Sequence, residues 1–365
     1  MKSSGLPIQE KIVAKGALSN AKKLAVPPQA SKIGTALLAG AAVLAATALW
    51  NRAQARRAER DHPPTGRFLE IDGIRLHYLE QGSGSPVVLL HGNVVTAEDY
   101  VLSGVFDQLV ERGHRVVAID RPGFGFSDRP QGMLWTPAEQ AHLLRRAFAR
   151  LGLERPVVVG HSWGSMVALA MALDDPDAVG GLVLLSGYYK PTARLDVPLA
   201  ALAAIPVFGD VLRYTVSPLF GRVMLPLNFK AMFAPRSVPE HFRHGFPYGF
   251  PVRPGQIRAE AQDAASMVPA AAALRARYSE LRLPVTIMAG IEDKIVDVDG
   301  HAVWFHDAIP GSELHLVPDT GHMFHYAVPE QVAEAITATV KRQHTTESDT
   351  LSPPPIVEPG HQPAA

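Results

Sequence analysis

Between Arg67 and Lys341 the apolar residues come in short runs of two alternating kinds. RFLEID and IRLHYLE lie on either side of the Asp72-Gly73 turn, which predicts a β-hairpin. PVVLL, residues 86–90, is apolar throughout, as expected of a strand buried on both faces. HRVVAID, a helical stretch from Pro137 to Leu151, PVVVG, a helix after Trp163 and GLVLLSG then alternate strand with helix. Such alternation predicts a parallel sheet covered by helices on both faces, because each parallel crossover must return over one face. The pattern lapses over residues 188–283, which are rich in Pro, Phe, Ala and Met, and resumes with PVTIMAG, HAVWFHDAI, ELHLV and PEQVAEAITATVKR. The interruption is expected to be an inserted helical cap, with a plain extension of the core as the alternative.

Upstream the pattern differs. Residues 1–32 are polar, and Ile33 to Trp50 then runs for 18 residues without a charge. At ~1.5 Å per helical residue that run reaches ~27 Å, close to the thickness of a bilayer core. A retained single-pass membrane helix over 33–50 is the expectation; a cleaved signal or a soluble Ala-rich helix are the alternatives, giving a secreted or soluble protein. A signal peptide normally begins near its charged end, whereas 32 residues precede this run. Lys15, Lys22, Lys23 and Lys32 before the run and Arg52, Arg56, Arg57, Arg60 and Arg67 after it leave the orientation open under the positive-inside rule. Residues 51–66, charged and then broken at Pro63-Pro64, read as a linker to a domain over 67–341. Residues 342–365 read as a disordered tail, lacking apolar periodicity.

Composition narrows the function. Lys+Arg and Asp+Glu each total 35, so net charge offers no reason for a nucleic-acid partner. The absence of cysteine excludes disulfides, thiolate nucleophiles and Cys-based zinc sites. No histidine spacing matches a metal motif such as H-E-x-x-H, so neither a metal nor a cofactor is expected.

The chemistry concentrates in a few turns. Gly160-His161-Ser162-Trp163-Gly164 follows an apolar strand and precedes a helix, the setting in which a serine is lifted onto a sharp turn as a nucleophile. Its developing oxyanion needs N–H donors: Trp163 N–H is one, and Asn93 N–H, in the His91-Gly92-Asn93 loop after PVVLL, is the second. A serine on such a turn is followed along the chain by its acid and then its histidine. Asp293, after PVTIMAG, is the candidate acid, with Glu292 as the neighbouring alternative; GLVLLSG offers Ser186 and no carboxylate. His322, after Gly321, is the candidate base, and His325, His91 and His161 are expected in packing or hydrogen-bonding roles. Asp120 to Asp128, DRPGFGFSD, lacks the phosphate-loop pattern and reads as a structural turn near the site.

Taken together, HGN, DRPGFGFSD, GHSWG, GIED and the later GH resemble the α/β-hydrolase superfamily over roughly residues 67–341. The resemblance implies an α/β fold with an eight-stranded, mostly parallel sheet, flanking helices and an inserted cap. HGN and G-H-x-W-G are similar to the versions in haloalkane dehalogenases and epoxide hydrolases, which carry Asp where this chain has Ser162. A serine ether formed from an alkyl halide or epoxide would be stable, whereas an acyl-serine is hydrolysable. The expected activity is therefore cleavage of carboxylic esters through an acyl-enzyme, on small hydrophobic substrates. The rivals are carbon–carbon bond hydrolysis, haloperoxidase-like perhydrolysis with the same triad, and a membrane-tethered binding protein without turnover.

Overall fold

The computed structural model describes residues 28–192 and 201–351. The chain divides into two units, Met1–Thr47 and Ala48–Ala365.

The described strands are β1 (Arg67–Ile71), β2 (Ile74–Gln81), β3 (Pro86–Leu90), β4 (Arg115–Ile119), β5 (Val157–His161), β6 (Gly181–Leu185), β7 (Val285–Gly290) and β8 (Glu313–Val317). The described α-helices are α1 (Pro28–Asp61), α2 (Asp99–Leu102), α3 (Val105–Glu111), α4 (Pro137–Leu151), α5 (Gly164–Asp174), α6 (Phe208–Tyr214), α7 (Val216–Phe233), α8 (Glu240–Gly245), α9 (Pro254–Arg275), α10 (Trp304–Ala308) and α11 (Pro329–Leu351).

The eight strands form one sheet in the order β1-β2-β4-β3-β5-β6-β7-β8. β1–β2 and β2–β4 pair antiparallel and every other pair is parallel, as the hairpin and the alternating runs predicted. Side chains alternate across a strand, so one apolar run supplies two cores. Val88 and Leu90 of β3 and Val158 of β5 pack against α4 and α5 on one face. Val87, Leu89, Val157 and Val159 pack against α2, α3 and α11 on the other. Helix α4 has the boundaries its sequence announces: Thr136 Oγ1 accepts from Glu139 N–H at 3.2 Å, Pro137 takes the first turn, and Gly152 stops the helix in the left-handed region.

The cap between β6 and β7 is helical, built from α6 to α9 with its own aromatic core of Phe229, Phe233, Phe242 and Phe246. Within residues 188–246, Tyr188, Tyr189, Phe233 and Phe246 are buried as core, while Phe208 and Phe220 are exposed.

Two boundaries differ from expectation. Residues 51–61 are not a linker: α1 continues through Asp61, because Ala, Arg, Gln and Glu all favour helix and the first breaker is Pro63. In the second unit this stretch docks on the cap. Asn51 Nδ2 donates to the Tyr214 and Thr215 carbonyls at 3.0 Å each, and Glu59 pairs with Arg253 at 3.0 Å. At the other end α11 carries helix to Leu351, since no proline or glycine intervenes before Pro353. The remainder of the expected tail, and most of the N-terminal polar segment, lie outside the described residues.

Candidate active site

Parallel strands place the loops that follow their carboxyl ends along one edge of the sheet, and a crevice opens where the strand order reverses. Here the reversal falls at β3, which has β4 on one side and β5 on the other. The loops after β3, β5, β7 and β8 bring Asn93, Ser162, Asp293 and His322 to that edge.

Ser162 forms the turn between β5 and α5 with φ 52°, a left-handed conformation that a non-glycine residue adopts only under constraint. Its N–H donates to Leu185 O at 2.8 Å, tying the turn to β6. The flanking glycines are sterically required. A Cβ on Gly160 would lie 2.6 Å from Ser165 Cα, and one on Gly164 would lie 2.4 Å from Leu90 O. The helix thereby approaches the end of β3 closely enough to hold Ser162 beside the loop that follows it.

The three predicted side chains form one hydrogen-bonded series. Ser162 Oγ lies 2.9 Å from His322 Nε2, and His322 Nδ1 lies 2.8 Å from Asp293 Oδ2. With Nδ1–H donating to the carboxylate, Nε2 is left to accept the serine proton. Asp293 Oδ1 accepts from the N–H groups of Ile295 at 2.8 Å and Val296 at 3.0 Å. Burial pushes the Asp293 carboxyl upward, but the His322 ring and these N–H donors outweigh it and hold the group below its usual value. Glu292 points elsewhere, accepting from Thr320 N–H at 3.0 Å. The side chains of His322 and Asp293 are buried, while Ser162 is partly exposed and reachable.

The N–H groups of Asn93 and Trp163 donate to no protein acceptor among the described residues, as unclaimed oxyanion donors would. What holds them in place was not legible in the sequence. Arg121, read only as part of a turn, is fully buried and distributes its guanidinium over the whole site. Nε donates to His91 O at 2.8 Å; Nη2 donates to Gly92 O at 3.1 Å and to Asn93 Oδ1 at 2.7 Å. Nη1 donates to Asp263 Oδ2 at 2.8 Å and to Gln140 Oε1 at 3.2 Å. Its Cζ lies over the Phe124 and Trp163 rings, 4.4 and 4.6 Å from their centroids. Asp263, on α9, also pairs with Arg129, and its carbonyl accepts from Trp163 Nε1 at 3.2 Å. The available signal was an Asp-Arg pair directly after an apolar strand; its partners, far away in sequence, gave no local trace.

Asp120, the other half of that pair, braces the same loops. It accepts from His77 Nδ1 and Ala97 N–H at 2.8 Å each and from Phe126 N–H at 2.9 Å. Burial raises its pKa, but these contacts, the His77 hydrogen bond foremost, lower it below the usual value overall.

The remaining histidines serve packing. His91 Nδ1 donates to Gly92 O at 2.7 Å and Nε2 accepts from Arg121 N–H at 2.9 Å; burial, reinforced by the Arg121 charge, pushes its pKa down to about 3. His161 Nε2 donates to His322 O at 3.1 Å, and burial with two neighbouring histidines holds its ring neutral. Asp99, His161 and His325 form a buried group with potential ligand atoms within 4.8 Å of one another. Both Asp99 oxygens already carry hydrogen bonds, from His325 Nε2 at 3.0 Å and the Tyr326 hydroxyl at 2.7 Å.

A family profile described as the alpha/beta hydrolase family matches residues 87–335, most of the chain. The chain belongs to the α/β-hydrolase family. It is 30% identical over 183 residues to haloalkane dehalogenase 2 of Mycobacterium tuberculosis, a match covering 50% of this chain and 58% of that protein. It thus spans little more than half the length of that relative. It is 27% identical over 262 residues to the 2-hydroxy-6-oxo-2,4-heptadienoate hydrolase of Pseudomonas putida, covering 70% of this chain and 89% of that one. An esterase from Exiguobacterium antarcticum shares the fold with a TM-score of 0.64 at 23% identity, over 76% of this chain and all of the other. A bromoperoxidase from Bacillus anthracis does so with a TM-score of 0.63 at 21% identity, again over 76% of this chain.

Two stability predictions follow from the strained turn and the buried carboxylate. Ser162→Gly relieves a left-handed non-glycine and should be more stable than Ser162→Ala by about 1 kcal/mol in urea unfolding, with both inactive. Asp120→Asn should cost about 2–3 kcal/mol at neutral pH. Because the folded pKa is depressed, that difference is fully present above the unfolded value of about 3.9 and fades as pH falls through the lower folded value. Unfolding midpoints at a series of pH values test this.

Proposed function

We propose that the chain is a serine hydrolase that cleaves carboxylic esters of hydrophobic acids or alcohols through an acyl-enzyme. The observation that carries this reading is the continuous series from Ser162 Oγ through His322 to Asp293. His322 Nε2 takes the serine proton as Oγ attacks the ester carbonyl, and the Asn93 and Trp163 amides receive the oxyanion. The imidazolium, stabilised by ionised Asp293, passes its proton to the departing alkoxide and leaves the acyl-serine. Water, deprotonated by the same ring, then attacks the acyl carbonyl; the acid departs and Ser162 regains its proton. No step calls on a cofactor.

A second reading, hydrolysis of a carbon–carbon bond by the same residues, is favoured by one observation. The Pseudomonas putida hydrolase aligns over 89% of its own length, much more of itself than the dehalogenase does.

We also read residues 33–50 as a membrane anchor. The helix Lys32–Asp61 is long and apolar enough to cross a bilayer, and Ile33, Leu37, Leu38 and Val43 are exposed.

Wild type should label with a fluorophosphonate and hydrolyse p-nitrophenyl esters, with an optimum at a medium or long acyl chain. Ser162→Ala should do neither. Asp293→Asn should lose on the order of 10³–10⁴ in kcat, with Glu292→Gln within a few-fold of wild type. Absence of labelling in folded wild type overturns the acyl-enzyme, and turnover of a vinylogous diketone in preference to esters moves the assignment to carbon–carbon hydrolysis. The anchor is tested separately: the chain should stay with membranes through carbonate extraction, and its release would refute the span.

A further inference from the structure

On α1, Arg52, Arg56 and Glu59 share one helix face by their spacing of four and three residues. Within the second unit that face lies over the loop from Gly123 to Arg129 and the start of α9, and together they enclose a cleft of about 430 Å³. Six arginines line it: Arg52, Arg56, Arg75, Arg129, Arg253 and Arg258. Only two carboxylates, Glu59 and Asp128, do so. Arg253 is paired with Glu59 at 3.0 Å, Arg75 with Asp128 at 3.7 Å, and Arg129 with Asp263 at 3.0 Å. Arg52, Arg56 and Arg258 have no carboxylate within 4.0 Å among the described residues.

Behind its lining lie two unmet donors. The Nε atoms of Arg253 and Arg258 are buried without a hydrogen-bond partner, and Arg253 as a whole is 7% exposed. A buried donor without an acceptor is costly, and a guanidinium beside others more so. Burial, with repulsion from Arg213 and Arg129, lowers the pKa of Arg258. An anion with several oxygens would supply the countercharge that Arg52, Arg56 and Arg258 lack, and planar guanidinium forks match phosphate oxygens in pairs.

We propose that this cleft binds a phosphate-bearing anion, with Arg52, Arg56 and Arg258 taking its oxygens, and that its source is the headgroup of an anionic phospholipid. The lipid source rests on what borders the cleft. Tyr214, in its wall, ends α6, and α6 and α7 expose Phe208, Val211, Phe220 and Val223. Trp50, the last residue of the apolar run, lies 4.7 Å under the Arg222 guanidinium of α7. An apolar surface adjoining an arginine cleft matches the acyl-chain and headgroup levels of one leaflet. The site does not involve Ser162, so it stands or falls independently of the proposed esterase chemistry.

The test uses the full chain in maltoside micelles at fixed ionic strength, titrated with inorganic phosphate, dihexanoylphosphatidylglycerol or dihexanoylphosphatidylcholine, and read as the shift in thermal midpoint. Phosphate and phosphatidylglycerol should each give a saturable upward shift, with phosphatidylglycerol half-saturating at the lower concentration and phosphatidylcholine weakest. Arg52→Ala/Arg56→Ala, at two exposed positions, should weaken both anions roughly tenfold. Arg57→Ala/Arg60→Ala removes the same charge outside the cleft and should leave both within about twofold. A phosphate shift that the lipid does not improve overturns the lipid source and assigns a soluble phosphate ligand. No saturable shift with either anion, or equal loss in the two double variants, overturns the site.

Discussion

The geometry of the site depends on one buried guanidinium. Arg121 carries a full charge to a position without solvent exposure, which is tolerable only because its hydrogen-bond donors are all occupied. Its partners come from the loop after β3, α4 and α9, and its Cζ lies over the rings of Phe124 and of Trp163, beside the candidate nucleophile. Removing any partner would strand part of a buried charge, a cost of several kcal/mol, so the loops cannot drift independently. A buried pair of this kind adds little net stability over a hydrophobic replacement. Its contribution is to fix which loop sits where.

That constraint makes the cap part of the site rather than a loose cover. Asp263 joins α9 to Arg121 and Arg129, and its carbonyl holds the Trp163 indole. The same residue therefore orients a side chain next to Ser162 and seats the cap helix on the sheet. The cap aromatics divide accordingly: those facing inward form a separate core, and Phe208 and Phe220 remain on the outside. Hydrophobic residues in the cap thus do two jobs, and their number alone says nothing about a substrate pocket.

Backbone strain and electrostatics work together at the candidate site. The turn at Ser162 holds a non-glycine residue at φ 52°, stabilised by the Leu185 carbonyl and by glycines that let α5 approach β3. Strain of about 1–3 kcal/mol is small against a domain core, yet it directs Oγ away from the sheet and toward His322. Asp293 is kept ionised by its neighbours, so the ring beyond it has one defined tautomer. A buried carboxylate that drifted upward in pKa would lose that role.

The sequence by itself determined the features that are local. The strand-helix alternation, the boundaries of α4 and the turn around Ser162 follow from residue type and spacing within a dozen positions, and the candidacy of Asp293 and His322 from their order along the chain after that turn. The extent of α1 was local too, and reading its charged half as a linker gave too little weight to helix propensity. Only the tertiary structure decided the rest. Glu292 and Asp293 are adjacent acids on one loop, and which one meets His322 depends on how β7 and β8 pair. Arg121 finds Asp263 142 residues away, and Arg52 and Arg56 come to face Arg258 only when α1 docks on the domain. Charges so far apart along the chain meet through packing of the elements between them, which no short-range pattern encodes.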